Sequence, residues 1–266
     1  MIDYHMHTYY SDDGKMTLDH AGKAAIDNGL LEIAITDHME IDWPYRDMPF
    51  EIKAIDSYIK EISQCRQKYA GQLSVKTGVE LGMQHTTLEK STAFINKYPF
   101  DFVIASFHIV DGCDPYYPEY YETRTKKESY IDYYRTIYDI LPKYSDYNVL
   151  GHLDLVKRYS PYEYEEDDHK IGLDIIEAIL KTVIDQGKGI ELNSSGFAHK
   201  SQVPMPHPEI IKLYKDLGGE IITIGSDSHK AESVAYKNKA TIDLLQGLGF
   251  KYITCFDRME PVFIRI

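Results

Sequence analysis

Cysteine is scarce in this sequence: Cys65, Cys113 and Cys255 are the only three in 266 residues. They lie far apart and fit no zinc-ribbon or redox spacing, which excludes a disulfide framework and a thiolate metal site as organising features. Scattered thiols in odd number point to a reducing compartment. Long apolar runs are missing too, and none approaches the roughly 18 residues of a membrane span. Basic residues are outnumbered, with 29 Lys plus Arg against 42 Asp plus Glu and a formal net charge of -13. That balance argues against a nucleic-acid partner, which needs a basic face. It leaves room for a small phosphorylated substrate, because bound metal ions reverse the local field. Met1 leads straight into a core-like strand with no basic, apolar leader, so the expectation is a cytoplasmic protein without a membrane partner. No composition shift or low-complexity linker divides the chain, and a single domain over 1–266 is expected.

What the sequence does have is alternation. Short strand-like runs at Leu31–Thr36, Leu73–Val79, Phe100–Phe107, Asn148–Leu150, Gly189–Leu192 and Ile221–Ile224 follow the opening run at Ile2. Helical patterns separate them: Thr17 to Asn28, Glu51–Tyr69, Thr87–Lys97, Glu128–Leu141, a segment from the acidic tract Glu163–Asp168 to Gln186, Pro208–Leu217 and Ala231–Gln246. Tyr252–Phe256 reads as an edge or closing strand. Seven βα units in regular order predict an α/β fold with parallel strands covered by helices.

The strand ends carry the chemistry. In order they are His5 and His7, Asp37 and His38, Glu80, His108, His152, Asn193 and Ser195, and Asp227 and His229. In a parallel βα barrel those ends meet at one face, where such folds place their active sites. Six of the eleven histidines sit at these ends, which is far from an even scatter. Any one of them has an ordinary reading as a packed or surface histidine; the recurrence does not. His5 and His7, two residues apart on one strand, project from the same face at about 6–7 Å and can converge on one ion. Glu80 ends an apolar strand, where an ionised carboxylate is costly unless paired or metal-bound. Imidazole and carboxylate donors without thiolates suit zinc, manganese or iron. More donors than one tetrahedral set needs imply several ions, and clustered divalent ions activate water and clamp phosphoryl oxygens.

His5-Met6-His7-Thr8, Thr36-Asp37-His38, Gly78-Val79-Glu80, Ser106-Phe107-His108, Gly151-His152 and Gly225-Ser226-Asp227-Ser228-His229 together resemble the polymerase and histidinol phosphatase (PHP) superfamily. The stretch Gly151-His152-Leu153-Asp154-Leu155-Val156-Lys157 and the long loop after His108 look most like its histidinol-phosphate phosphatases. The resemblance implies a distorted (β/α)7 TIM-like barrel with three divalent metal ions at its C-terminal face. It implies His5, His7, Glu80 and Asp227 for one ion, and Glu80, His108 and His152 for the second. For the third it implies His38, His229 and an acidic-loop residue, Asp13 or Asp12, where several relatives use histidine. The activity implied is hydrolysis of L-histidinol phosphate in histidine biosynthesis; the alternative is a phosphoesterase acting on nucleotides or other small phosphomonoesters.

Asp227 or His229 is the candidate proton donor to the leaving group. Arg158, six residues beyond His152, is the candidate phosphate contact. Ser195 is a further phosphate candidate. The tract from Cys113 to Tyr134 is long for a βα connection, and Glu119, Glu122 and Arg124 within it are candidates to meet the organic part of the substrate.

Overall fold

Short parallel strands alternate with amphipathic helices in the computed structural model, which describes residues 1–45 and 51–266. The strands are β1 Ile2–Asp3, β2 Glu32–Ile35, β3 His38–Met39, β4 Ser74–Gly82, β5 Phe102–Ser106, β6 Val149–Leu150, β7 Gly189–Asn193, β8 Ile222–Gly225, β9 Tyr252–Asp257 and β10 Glu260–Arg265. The helices are α1 Leu18–Asp27, α2 Ile55–Lys68, α3 Leu88–Lys97, α4 Lys126–Ile140, α5 Val156–Tyr159, α6 Leu173–Asp185, α7 Pro208–Asp216 and α8 Asn238–Gly247.

Pairing runs β1-β2-β4-β5-β6-β7-β8, all parallel, with β3 continuing beside the second half of β4. The chain just past β1 then reaches β8: Tyr4 N–H donates to Ile224 O, Asp227 N–H to His5 O and His7 N–H to Ser228 O, each at 2.8 Å. The result is the nearly closed seven-stranded βα barrel that the alternation and the resemblance imply. Helix faces follow the expected period. In α6, Ile176, Ile179, Leu180 and Val183 are buried against the barrel. In α1, the Thr17 hydroxyl caps the His20 N–H and Gly29, at φ +70°, ends the helix.

Several boundaries differ from expectation. The helix expected over Ala231–Gln246 is a short 3-10 turn at Ala231–Ser233 and then α8, because Ala235 N–H is captured by the buried carboxylate of Asp3 (2.9 Å) and Ala235 and Lys237 take positive φ. The helix expected to start at Glu51 starts at Ile55: Lys53 N–H is tied to Tyr10 O, and Ala54 turns the chain at φ +51°. Between Glu163 and Gln186 a 3-10 turn at Glu166–Lys170 precedes α6, separated from it by Gly172 at φ +72°.

Tyr252–Phe256 is a strand, yet it does not join the barrel sheet. It forms an antiparallel hairpin with β10. The hairpin covers the barrel's N-terminal mouth. Thr254 Oγ1 accepts from Ile222 N–H (3.2 Å), Met259 N–H donates to Asp101 O (2.8 Å) and Asn148 Nδ2 donates to Met259 O (2.8 Å). All three partners lie at or just before strand starts. Tyr4, Phe102 and Phe256 pack together beneath the site, with Tyr4–Phe102 ring centroids 4.9 Å apart.

Candidate active site

The C-terminal strand ends deliver six imidazoles and three carboxylates to one place. Glu80, at the centre, is 1% exposed. Its Oε2 lies 3.2 Å from His5 Nε2, 3.4 Å from His7 Nε2 and 2.9 Å from His38 Nδ1. Its Oε1 lies 2.8 Å from His152 Nε2 and 3.4 Å from His108 Nε2, and accepts from Ser106 Oγ at 2.7 Å. Burial works to raise the Glu80 pKa, but His5, His38 and His108 outweigh it and hold the group well below the usual carboxylate range. His108 moves the other way: burial disfavours its cation, but Glu40 and Glu80 lift it to about 10.

The structure turns Asp13, not Asp12, inward. Asp13 Oδ2 is 2.9 Å from His229 Nε2 and 3.5 Å from His38 Nε2, whereas Asp12 pairs with Lys53 at 2.5 Å on the outer side of the loop. Asp227 sits at φ +54° and extends one oxygen to each side: Oδ1 is 3.4 Å from His7 Nε2, and Oδ2 accepts from Arg158 Nη1 at 2.8 Å. Arg158 Nη1 also lies 3.4 Å from Ser195 Oγ. Arg158 and Ser195 therefore reach the site through Asp227.

Glu119 and Arg124 do not reach it. Glu119 is exposed on a 3-10 turn at Pro118–Tyr120. Arg124 lies over the Tyr120 ring (4.6 Å), donates to Tyr120 O and pairs with Asp132. All three contacts are with the turn before it and the start of α4, so the side chain is held away from the cluster; Glu122 is exposed as well. From the same tract, Tyr116 and Tyr117 instead join Trp43, Tyr159, Glu40 and Asp114 in a hollow of about 250 Å³. It opens beside a cleft of about 270 Å³ lined by Asp13, Glu80, Arg158, Asp227, His229, Lys15 and Lys230. Tyr120, Tyr121, Tyr130, Tyr133 and Tyr134 are core residues, and two of their hydroxyls donate to the carbonyls of Ser129 and Val156.

Four buried carboxylates stand behind the cluster in roles that sequence reasoning missed. Glu40 Oε1 lies 2.5 Å from His108 Nδ1, and Glu191 Oε1 lies 2.7 Å from His5 Nδ1. Asp37 accepts from Thr8 N–H, Thr8 Oγ1, Ser11 N–H and Ser11 Oγ at 2.7–3.0 Å, fixing the loop that carries Asp13. Asp3 accepts from the N–H groups of Ser226 and Ala235, fixing the loop that carries Asp227 and His229. Glu191 was detectable, because it lies between Ile190 and Leu192 in an apolar strand, the same signal that singles out Glu80.

The donor set fits divalent ions. A tetrahedron with bonds of about 2.0–2.1 Å has edges of about 3.3–3.4 Å. His5 Nε2 and His7 Nε2 are 3.1 Å apart, and their distances to Glu80 Oε2 and Asp227 Oδ1 run from 3.2 to 3.8 Å. Buried Asp13 Oδ1 and His152 Nδ1 have no hydrogen-bond partner. Among the described residues the donors fall into overlapping groups, including His5, His7 and Glu80; Glu80, His108 and His152; and His7, Asp13, His38 and His229.

The PHP domain model matches residues 3–195 of this chain. Over 252 residues the chain is 32% identical to a protein of Clostridium acetobutylicum described as a probable histidinol-phosphatase, covering 94% of this chain and 95% of that one. A histidinol-phosphatase of Lactococcus lactis is 29% identical over 260 residues, covering 97% and 95%. A crystal structure of histidinol phosphate phosphatase from Lactococcus lactis, complexed with zinc, L-histidinol and phosphate, superposes with a TM-score of 0.87 at 30% identity and 98% coverage of both chains.

Proposed function

Since the chain belongs to the PHP domain family, we propose that it is an L-histidinol-phosphate phosphatase, a metal-dependent phosphomonoesterase releasing L-histidinol and phosphate. The observation that carries the chemistry is the convergence of four donors at the mouth of the cleft: His5 Nε2 and His7 Nε2 lie 3.1 Å apart, each within 3.2–3.8 Å of Glu80 Oε2 and Asp227 Oδ1. That carboxylate and imidazole set suits zinc, manganese or iron, and the Lactococcus relative is complexed with zinc. Three groups are assigned: His5, His7 and Glu80, with Asp227 Oδ1 3.8 and 3.4 Å from the two imidazoles; Glu80, His108 and His152; and Asp13, His38 and His229, to which His7 also lies close. Ions held there lower the pKa of water and neutralise charge on phosphoryl oxygens.

The chain's own residues do the rest. Arg158, whose Nε is buried without a hydrogen-bond partner, faces the cleft and takes the phosphoryl oxygens, with Ser195 beside it. The hollow of Trp43, Tyr116, Tyr117 and Tyr159 takes the organic part of the substrate, away from water. The leaving alkoxide needs a proton, and His229 is the better placed of the two candidates, because both oxygens of Asp227 are engaged. His229 Nδ1 donates to Asp227 O at 2.9 Å and Nε2 faces Asp13. Burial opposes its cation, but Asp13 and Asp227 raise its pKa in the metal-free protein; it acts as donor only where Nε2 carries a proton, so the donor role and a place as ligand in the third group exclude one another.

No helix among the described residues is long and apolar enough to cross a membrane. We place the enzyme in the cytoplasm, acting as one catalytic domain over 1–266 in histidine biosynthesis. A panel of phosphomonoesters run beside metal analysis tests the assignment. Histidinol phosphate should give the highest kcat/KM. A preference for a nucleoside phosphate would replace it with the alternative reading, and a metal-loaded protein that hydrolyses neither would end it.

A further inference from the structure

Glu191 lies behind the ligand cluster rather than in it, and its surroundings are unusually complete. It is 1% exposed on β7, between two buried aliphatic residues. A carboxylate in such a place is costly unless every lone pair is used. Both oxygens are engaged. Oε1 accepts from His5 Nδ1 at 2.7 Å; Oε2 accepts from His152 N–H at 2.9 Å and from Asn193 Nδ2 at 3.2 Å. The neighbouring strand makes room for it: a Cβ on Gly225 would lie 2.2 Å from Glu191 Oε1. No such side chain fits, so glycine at that register position and glutamate on β7 belong together.

The two bonds act on two different places. Donation from His5 Nδ1 fixes the tautomer that leaves the Nε2 lone pair free to bind an ion, beside Glu80 Oε2 and His7 Nε2. The bond to His152 N–H fixes the backbone from which the His152 ring reaches Glu80 Oε1 at 2.8 Å. On the opposite side Glu80 divides its own oxygens between the same two histidines. We infer that Glu191 is a positioning residue that anchors two adjoining metal-binding groups at once, one through the His5 ring and one through the His152 backbone. This rests on the metal-dependent reading above.

Glu191→Gln removes the charge and leaves one acceptor oxygen for donors that now use two, so it cannot serve both His5 and His152. The test loads wild type and E191Q with zinc and titrates each with a chromophoric chelator, alongside thermal unfolding of the stripped proteins. The expected result is a stripped E191Q that still folds but unfolds at a lower temperature than wild type, zinc released at about 10–100-fold lower chelator strength for two ions rather than one, and activity recovered by added zinc. A release curve matching wild type overturns the inference. A wild-type protein that holds no zinc, manganese or iron overturns the metal-dependent reading itself, and the two failures are separately visible. If E191Q does not fold, Glu191→Asp keeps the charge but withdraws the carboxylate by one methylene. An unchanged release curve for that variant overturns the inference equally.

Discussion

Removing the Arg158 side chain is the sharpest test of how the cleft holds phosphate. The guanidinium has one nitrogen committed, Nη1 to Asp227 at 2.8 Å, while its buried Nε has no hydrogen-bond partner. Nε and Nη2 form the edge left for two phosphoryl oxygens. Hydrogen bonds to charged groups are worth about 1.5–3 kcal/mol each. Two of them amount to about 3–6 kcal/mol, or about 10²–10⁴-fold in kcat/KM. Arg158→Ala should therefore lose that much against both histidinol phosphate and p-nitrophenyl phosphate, since the phosphoryl group is common to the two. Arg158→Lys keeps a cation near Asp227 without the fork and should fall between. Metal content must be measured in parallel, because Asp227 loses its partner. A loss under tenfold at full metal content, or one confined to histidinol phosphate, would refute the contact.

Two further outcomes are expected. His229→Asn should slow histidinol phosphate, with its poor alkoxide leaving group, by about 10²–10⁴-fold, and p-nitrophenyl phosphate much less; equal losses at full metal content would sink the proton-donor role. In chelator-stripped protein, His5, His38, His108 and His229 bind protons more tightly folded than unfolded. Their stabilisation is complete below the unfolded value of about 6.5 and is lost as pH rises through the folded values, about 10 for His108. The stripped protein's Tm should thus fall between pH 6 and pH 10, as followed by circular dichroism, and a flat or rising profile would contradict the folded-state shifts.

The barrel was legible because parallel strands buried on both faces, separated by capped helices, leave a regular trace. The ligand face was legible because the functional side chains lie at or near strand ends, as His38 opens β3 just past β2 and Glu80 falls two residues before the end of β4. What the sequence hid depends on contacts between distant residues. The split in the helix expected over 231–246 comes from Asp3, more than 200 residues away. The β9–β10 hairpin turns at Arg258 and Met259, both at positive φ, where a readable signal would have been Asn-Gly or Asp-Gly. Arg124 carries charge in the right tract, but Tyr120 and Asp132 claim it first.

Asp3 and Asp37 carry a consequence for assembly of the holoenzyme. Each is a buried carboxylate that accepts backbone N–H groups from a ligand-bearing loop, and neither bond involves a metal donor atom. The loops are therefore shaped by the fold and not by the ions. In small metal-nucleated domains, binding free energy is folding free energy, and the apo chain is unfolded. Here the chain can reach its native topology first and collect its ions afterwards, so that little of their affinity is consumed in ordering polypeptide. Metal supply would then govern how much enzyme is active, while leaving how much is folded nearly untouched.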